Sequence, residues 1–193
     1  GQSGVAAVDG QVELDANGID SNVVVNDTVE TTSGAINLLA DNDVSFGAGG
    51  DVTASTGGNV TVTADTDGLT DGGTDQGALT MVNGTVIDAG SGTIVLDANE
   101  DVALGRLVTA NNTTSAVAVT SAAGAITDAG DTGGADITAT GSNADVTLTA
   151  ETGIGTVAAV DVTTSDPANG LDLDVTDLVL AGNAAEILID NTS

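Results

Sequence analysis

A five-residue pattern, apolar-x-apolar-x-small, recurs along this chain at long and nearly regular intervals. Its six copies begin at Val12, Ile36, Val60, Ile94, Val117 and Val146. The first three copies begin 24 residues apart, and the later intervals are 34, 23 and 29 residues. A short fixed period with occasional longer intervals is typical of solenoids, because a loop inserted between coils bulges outward without disturbing the stack. The spacing therefore predicts coils of about 24 residues with loop insertions.

A longer internal repeat accompanies this pattern. The segment GAINLLADNDVSFG at 34–47 matches GTIVLDANEDVALG at 92–105 at seven of fourteen positions without a gap. A β-sandwich does not require its strands to resemble one another, whereas each turn of a solenoid stacks on a near copy of itself. The repeat therefore favours a solenoid over a sandwich.

Within each copy the alternation has a period of two, which is the pattern of a half-buried β-strand. Residues 60–63 place two valines on one face and two threonines on the other, and residues 171–176 repeat this arrangement with carboxylates outside. A second pattern, apolar-x-Asp-small-Gly, indicates a strand that runs into a glycine turn at 69–73, 86–90 and 126–130. No segment sustains the i, i+3, i+4 apolar spacing of an amphipathic helix. The fold class is therefore predicted to be all-β.

These observations predict a parallel β-solenoid that spans residues 1–193 as a single segment, with a β-sandwich as the alternative. The side chains of Val12, Ile36 and Val60 are expected to stack as one inward column in adjacent coils. Residues 1–32 follow the pattern less regularly. We expect them to form an end coil or a donated strand, with Val23–Val25 as the candidate for donation.

The composition restricts the core. Apolar residues make up 40% of the chain but aromatic residues only 1%, and Phe46 is the single aromatic residue. A core built from Val, Ile, Leu and Ala suits many thin, similar layers better than one large globular interior. The regular alternation of β-branched residues also argues against a disordered chain.

The charge restricts the partners. The formal net charge is −28, with Arg106 as the single basic residue and no histidine. Nucleic acids and anionic lipid surfaces attract proteins through Lys and Arg, so neither is an expected partner. No apolar run approaches the roughly 18 residues of a transmembrane helix, so membrane insertion is not expected either. Arg106 is expected to pair locally with one of the exposed carboxylates.

The segments GTIVLDANEDVALG, SAVAVTSAAGAITDAG and DVTLTAETGIGT resemble those of filamentous-haemagglutinin-like giant repetitive surface proteins of bacteria. The resemblance spans most of residues 34–193 and implies a right-handed parallel β-helix that serves as an adhesin shaft. It implies an extracellular location, at the cell surface or in a matrix. The expected partners are neighbouring repeats or identical subunits end to end, and polysaccharide or cell-surface contact is a further expectation. The alternative function is a self-assembling fibre subunit joined by strand addition.

An enzyme is not expected. Polysaccharide-cleaving sites need paired carboxylates together with groups that hold the sugar, and this chain has no Trp, Tyr, Lys or His to do so. A minor alternative is an ice-binding or polysaccharide-binding solenoid, suggested by the pairs Thr61/Thr63, Thr138/Thr140 and Thr147/Thr149. Ice binding would need such a pair on every coil, and the equivalent positions of other copies hold Glu13/Asp15 and Val95/Asp97.

One acidic loop is the candidate metal site. The segment DTDGLTDGGTDQG at 65–77 lies in the 34-residue interval and carries Asp65, Asp67, Asp71 and Asp75. Calcium takes six to eight oxygen ligands, and a glycine-rich loop can wrap carboxylates around it. Weaker candidates are the pairs Asp41/Asp43, Asp128/Asp131 and Asp172/Asp174. The simpler interpretation is a solvated turn, and no cofactor is required by the fold.

The two interpretations of this loop predict different responses to cations. Screening by any salt should raise the melting temperature, because at low ionic strength the Debye length of about 30 Å lets carboxylates repel across the molecule. If residues 65–77 bind Ca²⁺ in the folded state, millimolar calcium should add a further RT ln(1 + [L]/Kd) of stability. Asp67→Asn combined with Asp71→Asn should then abolish this increment and keep the general salt response. Melting curves that match between calcium and ionic-strength-matched sodium would leave the loop as a solvated turn.

Overall fold

The chain forms β-strands without helices throughout the part described by the computed structural model. Residues 4–18, 20–66, 77–130 and 135–155 are described with their side chains, and 171–175, 177–182 and 189–191 are described as strand backbone. The prediction of an all-β chain is confirmed for these residues.

The described strands form three parallel sheets. Sheet A contains β1 (Val5–Ala7), β4 (Val29–Thr31), β7 (Val52–Ala54), β10 (Val86–Asp88), β13 (Arg106–Thr109), β16 (Ile137–Ala139), β19 (Leu171–Val175) and β21 (Ile189–Asn191). Sheet B contains β2 (Val12–Ala16), β5 (Ile36–Ala40), β8 (Val60–Ala64), β11 (Ile94–Ala98), β14 (Val117–Ser121), β17 (Asp145–Ala150) and β20 (Asp177–Gly182). Sheet C contains β3 (Val23–Val25), β6 (Val44–Phe46), β9 (Leu79–Met81), β12 (Val102–Leu104), β15 (Ala125–Asp128) and β18 (Gly153–Ile154).

The chain visits the sheets in the order A, B, C and then returns to A. Each strand from β1 to β17 pairs in parallel with the strand three elements later. One circuit of the three sheets is therefore one coil, and β1 to β18 complete six coils stacked on one another. This architecture is a parallel β-solenoid, as the repeats predict, and it excludes the β-sandwich alternative. Val23–Val25 forms β3 and pairs with β6 of the same chain.

The predicted column of inward side chains is confirmed. Val12 pairs with Ile36, and Ile36 pairs with Val60, so the three lie in register on consecutive strands of sheet B. The same column continues through the first residues of the remaining copies, which are Ile94, Val117 and Val146. All six copies of the pattern are thus strands of a single sheet.

The longer intervals in the repeat correspond to insertions at the corners between sheets. Residues 65–78 join β8 to β9, whereas only residues 41–43 join β5 to β6 at the same corner of the preceding coil. Residues 129–136 similarly lengthen the connection from β15 to β16. The strands on either side of each insertion keep their register with the neighbouring coils. The insertions therefore leave the stacking of the strands intact.

The interior is a set of columns of aliphatic side chains. The inward residues of sheet B in the second to sixth coils are at most 2% exposed, while the residues between them are half-buried or exposed. Phe46, the single aromatic residue, stacks between Val25 and Met81 in sheet C and is 1% exposed. Burial of about 25 cal/mol for each Å² of apolar surface makes these columns the main source of stability.

A column of glycines lies at the corner between sheets A and B. Gly34, Gly58 and Gly92 each precede a sheet B strand by two residues and lie above the corresponding glycine of the coil before. A Cβ atom on Gly58 would overlap the carbonyl oxygen of Gly34, and one on Gly92 would overlap that of Gly58. Glycine is required here because the backbones of successive coils approach too closely for any side chain.

Adjacent positions of β11 should differ strongly in their tolerance of charge. Ile94 is fully buried and Val95 is only half-buried. Ile94→Asp should lower the free energy of unfolding by several kcal/mol, because it buries a carboxylate without a partner. Val95→Asp should cost well under half as much, because its side chain points outward. Urea denaturation measures both values, and equal losses would contradict the alternation.

Candidate functional site

Three of the acidic residues that sequence analysis selects lie at the corner between sheets B and C, called here the B–C corner. It is formed by the segments that join each sheet B strand to the following sheet C strand, namely 17–22, 41–43, 65–78, 99–101, 122–124 and 151–152. Asp41, Asp43 and Asp65 belong to consecutive coils at this corner. Stacking thus brings Asp65, one of the main candidate calcium ligands, and the weaker candidate pair Asp41/Asp43 to the same edge of the solenoid.

The two ends of the 65–78 insertion meet at one point of the B–C corner. Asp65 has a left-handed backbone with φ of 67°, and Gly77 has the same φ. A Cβ on Gly77 would lie 2.5 Å from the Asp65 nitrogen, so the two ends of the insertion are in contact. The Asp65 N–H donates to the Asn42 carbonyl at 3.2 Å, and the Glu100 N–H donates to the Gly77 carbonyl at 3.1 Å. The base of the loop is therefore held by the coils on both sides.

Of the four predicted calcium ligands, Asp65 lies at this base. Asp67, Asp71 and Asp75 lie outside the described residues. Among the residues that are described, no group of three His, Cys, Asp or Glu side chains is arranged to hold a metal ion. Calcium binding by residues 65–77 therefore stays a prediction from the sequence.

The weaker candidate Asp41 has a structural role in the corner. One of its carboxylate oxygens accepts the Gly18 N–H at 2.6 Å, and the other accepts the Thr66 hydroxyl at 2.6 Å. Gly18 belongs to the first coil, Asp41 to the second and Thr66 to the third. A single carboxylate thus joins three successive coils through charge-assisted hydrogen bonds.

The weaker candidate Asp43 belongs to a repeated coil-to-coil bridge. Asp43 immediately precedes β6, and its Oδ1 accepts the N–H of Ala78, which immediately precedes β9. The same geometry, in which an Asn or Asp directly before one strand accepts the N–H of the register-equivalent residue in the next coil, recurs at all three corners. Its other members are Asn22 to Asp43, Asp101 to Ala125, Asp51 to Val86 and Asn59 to Thr93, with distances between 2.8 and 3.1 Å. We call these contacts the Asx bridges.

The Asx bridges explain part of the acidic composition without a ligand. The backbone N–H at the start of a strand lies next to a corner, where the hydrogen-bond ladder of the sheet begins, and a short side-chain oxygen from the coil below satisfies it. Sequence analysis missed this role because the bridging residues are far apart in the chain. The available signal is an Asn or Asp directly before the apolar-x-apolar pattern of several strands, as at Val44, Val52, Val60 and Val102.

The remaining candidate pairs are described only in part. The Oδ1 of Asp128 accepts the N–H of Gly130 at 2.5 Å, which closes the predicted glycine turn after β15. Asp88 makes the equivalent contact with Gly90 at 2.8 Å, and both glycines have positive φ. Asp131 lies outside the described residues, and Asp172 and Asp174 are described as β19 backbone alone.

Two charged side chains on the sheets have unusual surroundings. The Nε of Arg106, at the start of β13, is buried and has no hydrogen-bond partner, so the predicted pairing with a carboxylate is not made through this atom.

Desolvation by partial burial raises the pKa of the Asp97 carboxyl on β11. An ionised carboxylate with a raised pKa disfavours folding at neutral pH, and this cost falls as the pH drops through its folded-state pKa.

No protein-family model, curated protein or solved structure matches this chain. A search of the described residues for a helix with the length and apolarity needed to span a bilayer finds none. Functional inference therefore depends on the geometry of the stack itself.

Asp43 allows the bridging role to be separated from the effect of charge. Asp43→Ala removes the oxygen that accepts the Ala78 N–H and should lower the free energy of unfolding by roughly 1–3 kcal/mol. Asp43→Asn should retain most of the stability, because Asn22 and Asn59 already form the same bridge through an amide oxygen. Asp15→Ala, at an exposed position of β2, removes the same charge and serves as the control in urea denaturation. Equal losses for Asp43→Asn and Asp43→Ala would contradict the bridge.

Proposed function

We propose that the chain is a structural shaft segment of a large secreted surface adhesin or extracellular matrix filament. The observation that carries this proposal is the unbroken register of the stack from the first coil to the sixth. Between β1 and β18 the insertions lie at corners, so all three sheets run continuously along the axis through the six coils. Such a molecule supplies length and stiffness, which are the properties that a shaft requires.

The stiffness has a physical origin in the direction of the hydrogen bonds. Parallel strands stacked about 4.8 Å apart place their backbone hydrogen bonds along the axis of the solenoid. Bending the rod would lengthen these bonds on one side and compress packed side chains on the other. The Asx bridges add axial contacts at the corners, where the sheets are interrupted.

The surface suits a hydrated extracellular filament. A net charge of −28 with a single basic residue makes neighbouring rods repel each other side by side. Carboxylates at the corners and on the outward faces keep the surface wetted, and the aliphatic columns are covered along the sides. We infer a location at the cell surface or in a matrix, with polysaccharide contact along these outer faces.

The register disfavours ice binding as an alternative. In the outward columns of sheet B, Val95 and Ala118 lie between Thr61 and Thr147. Asp97 likewise follows Thr63 in the adjacent column. A continuous flat array of threonines is therefore not formed on this face.

Hydrogen exchange and surface labelling together test the shaft proposal. Amide protection should be uniformly high through β5, β8, β11, β14 and β17, because a stiff rod has no locally labile coil among them. Antibodies raised against the chain should label filaments on the outside of intact cells. A weakly protected coil in the middle of the stack, or label confined to the cell interior, would contradict the proposal.

A further inference from the structure

The sequence contains three Asn-Gly pairs, at 17–18, 83–84 and 169–170. Such a pair is chemically reactive, because glycine has no side chain to hinder attack by its backbone nitrogen on the preceding side-chain amide. The pair at 169–170 lies outside the described residues, whereas the other two are described in full. These two lie in different surroundings, so the structure predicts different reactivities for them.

The backbone of Asn17-Gly18 is held in place at the B–C corner. The Gly18 N–H donates to the Oδ2 of Asp41 at 2.6 Å, and the Gly18 carbonyl accepts the Ser21 N–H at 2.9 Å. A hydrogen bond to a carboxylate is stronger than one between neutral groups. The carboxylate also opposes loss of the proton from this nitrogen, because an anionic nitrogen would then lie beside a negative charge. The Gly18 nitrogen is therefore a poor nucleophile.

Asn83-Gly84 lies in a turn at the corner between sheets C and A. Residues 82–85 join β9 to β10, and the Val82 carbonyl accepts both the N–H and the hydroxyl of Thr85, at 3.1 and 2.8 Å. Asn83 and Gly84 are exposed at the tip of this turn, and Gly84 has a positive φ of 91°. Among the described residues, no group accepts a hydrogen bond from the Gly84 N–H. This nitrogen therefore lacks the protection that Asp41 gives to Gly18.

We propose that Asn83 is a site of spontaneous deamidation. The deprotonated Gly84 nitrogen attacks the Asn83 Cγ, the new C–N bond closes a succinimide ring, and the amide nitrogen leaves as ammonia. The proton lost by Gly84 is returned to the leaving nitrogen, so water is the only co-reactant. Water then opens the ring at either carbonyl. One product is aspartate, and the other is isoaspartate, in which the main chain runs through the former side chain and gains a CH2 group.

The Asn83 side chain has a packing role that this reaction changes. A Cβ atom on Gly130 would overlap the Asn83 Nδ2, so the amide lies against the glycine turn that follows β15, two coils away. Gly105 alone joins β12 to β13 between these two turns. The Gly130 N–H is already bound by the Asp128 carboxylate. Deamidation replaces the neutral amide by a second carboxylate at this contact, and the repulsion weakens it. The site exists whether or not the chain is a shaft.

Peptide mapping by mass spectrometry tests the site on the folded chain, incubated at mildly alkaline pH and sampled over time. Conversion of Asn83 to aspartate and isoaspartate should be faster than conversion of Asn17 by about tenfold or more, because a charge-assisted hydrogen bond must be broken only at Gly18. The conversion rate of Asn83 should rise with pH, since the attacking nitrogen must lose its proton.

Two controls separate the effect of the fold from that of the local sequence. In the urea-unfolded chain the two asparagines should convert at similar rates, because the contact between Gly18 and Asp41 is lost. Asp41→Ala should accelerate conversion of Asn17 in the folded chain and leave the rate at Asn83 unchanged, and circular dichroism verifies that this variant folds. Asn83→Asp should lower the melting temperature more than Asn83→Ser, which adds no charge. Conversion of Asn83 no faster than that of Asn17 in the folded chain would overturn the proposal and leave the exchange and labelling tests of the shaft unaffected.

Discussion

The requirement that each coil fit on the next in register is the constraint on which the rest of this structure depends. Parallel strands about 4.8 Å apart place every side chain directly above its counterpart in the coil below. Aliphatic side chains of similar size fill such columns, and the core consists mainly of Val, Ile, Leu and Ala, with Phe46 as its single ring and Met81 stacked on it. The glycine column has the same cause, since Gly34 and Gly58 lie where the backbones come closest.

The same spacing brings acidic side chains on adjacent coils close together. The register reduces the repulsion between some of them. Two carboxylates stacked on adjacent coils would repel strongly, because they would be held about 5 Å apart. In one outward column of sheet B, Leu39 and Thr63 separate Asp15 from Asp97. At the corners, several carboxylates and amides are occupied by the Asx bridges. In this column neutral residues therefore separate the carboxylates, and at the corners several carboxylates bind backbone N–H groups. Elsewhere acidic residues do pair in register, as Asp145 does with Asp177 and Asp172 with Asp190.

Much of the fold follows from the sequence because the period is visible in it. The 24-residue spacing of Val12, Ile36 and Val60 reflects the in-register stacking directly, and the longer intervals mark the corner insertions. The assignment of the patterns to particular sheets was not accessible, because the glycine turns at 90 and 130 follow strands of sheets A and C respectively. No local signal distinguishes these two sheets.

The candidate site was less predictable, because an acidic side chain at a turn has two common roles. Asp41 and Asp43 form a candidate ligand pair in the sequence, yet their oxygens accept hydrogen bonds from residues of neighbouring coils. Those partners are more than twenty residues away in the chain, so proximity in the sequence gives no indication of them. Asp65 fixes the base of the insertion, and this too depends on Gly77, at the far end of the loop.

Because the insertions lie at corners, the molecular weight of this chain does not determine its length along the solenoid axis. The coil that contains residues 65–78 uses many more residues than the coil before it, yet both occupy one layer of each sheet. Residues added at a corner therefore add no layer to any of the sheets. Two chains of equal molecular weight built on this plan can therefore differ in length, and the number of sheet B strands, rather than the number of amino acids, measures how far each extends.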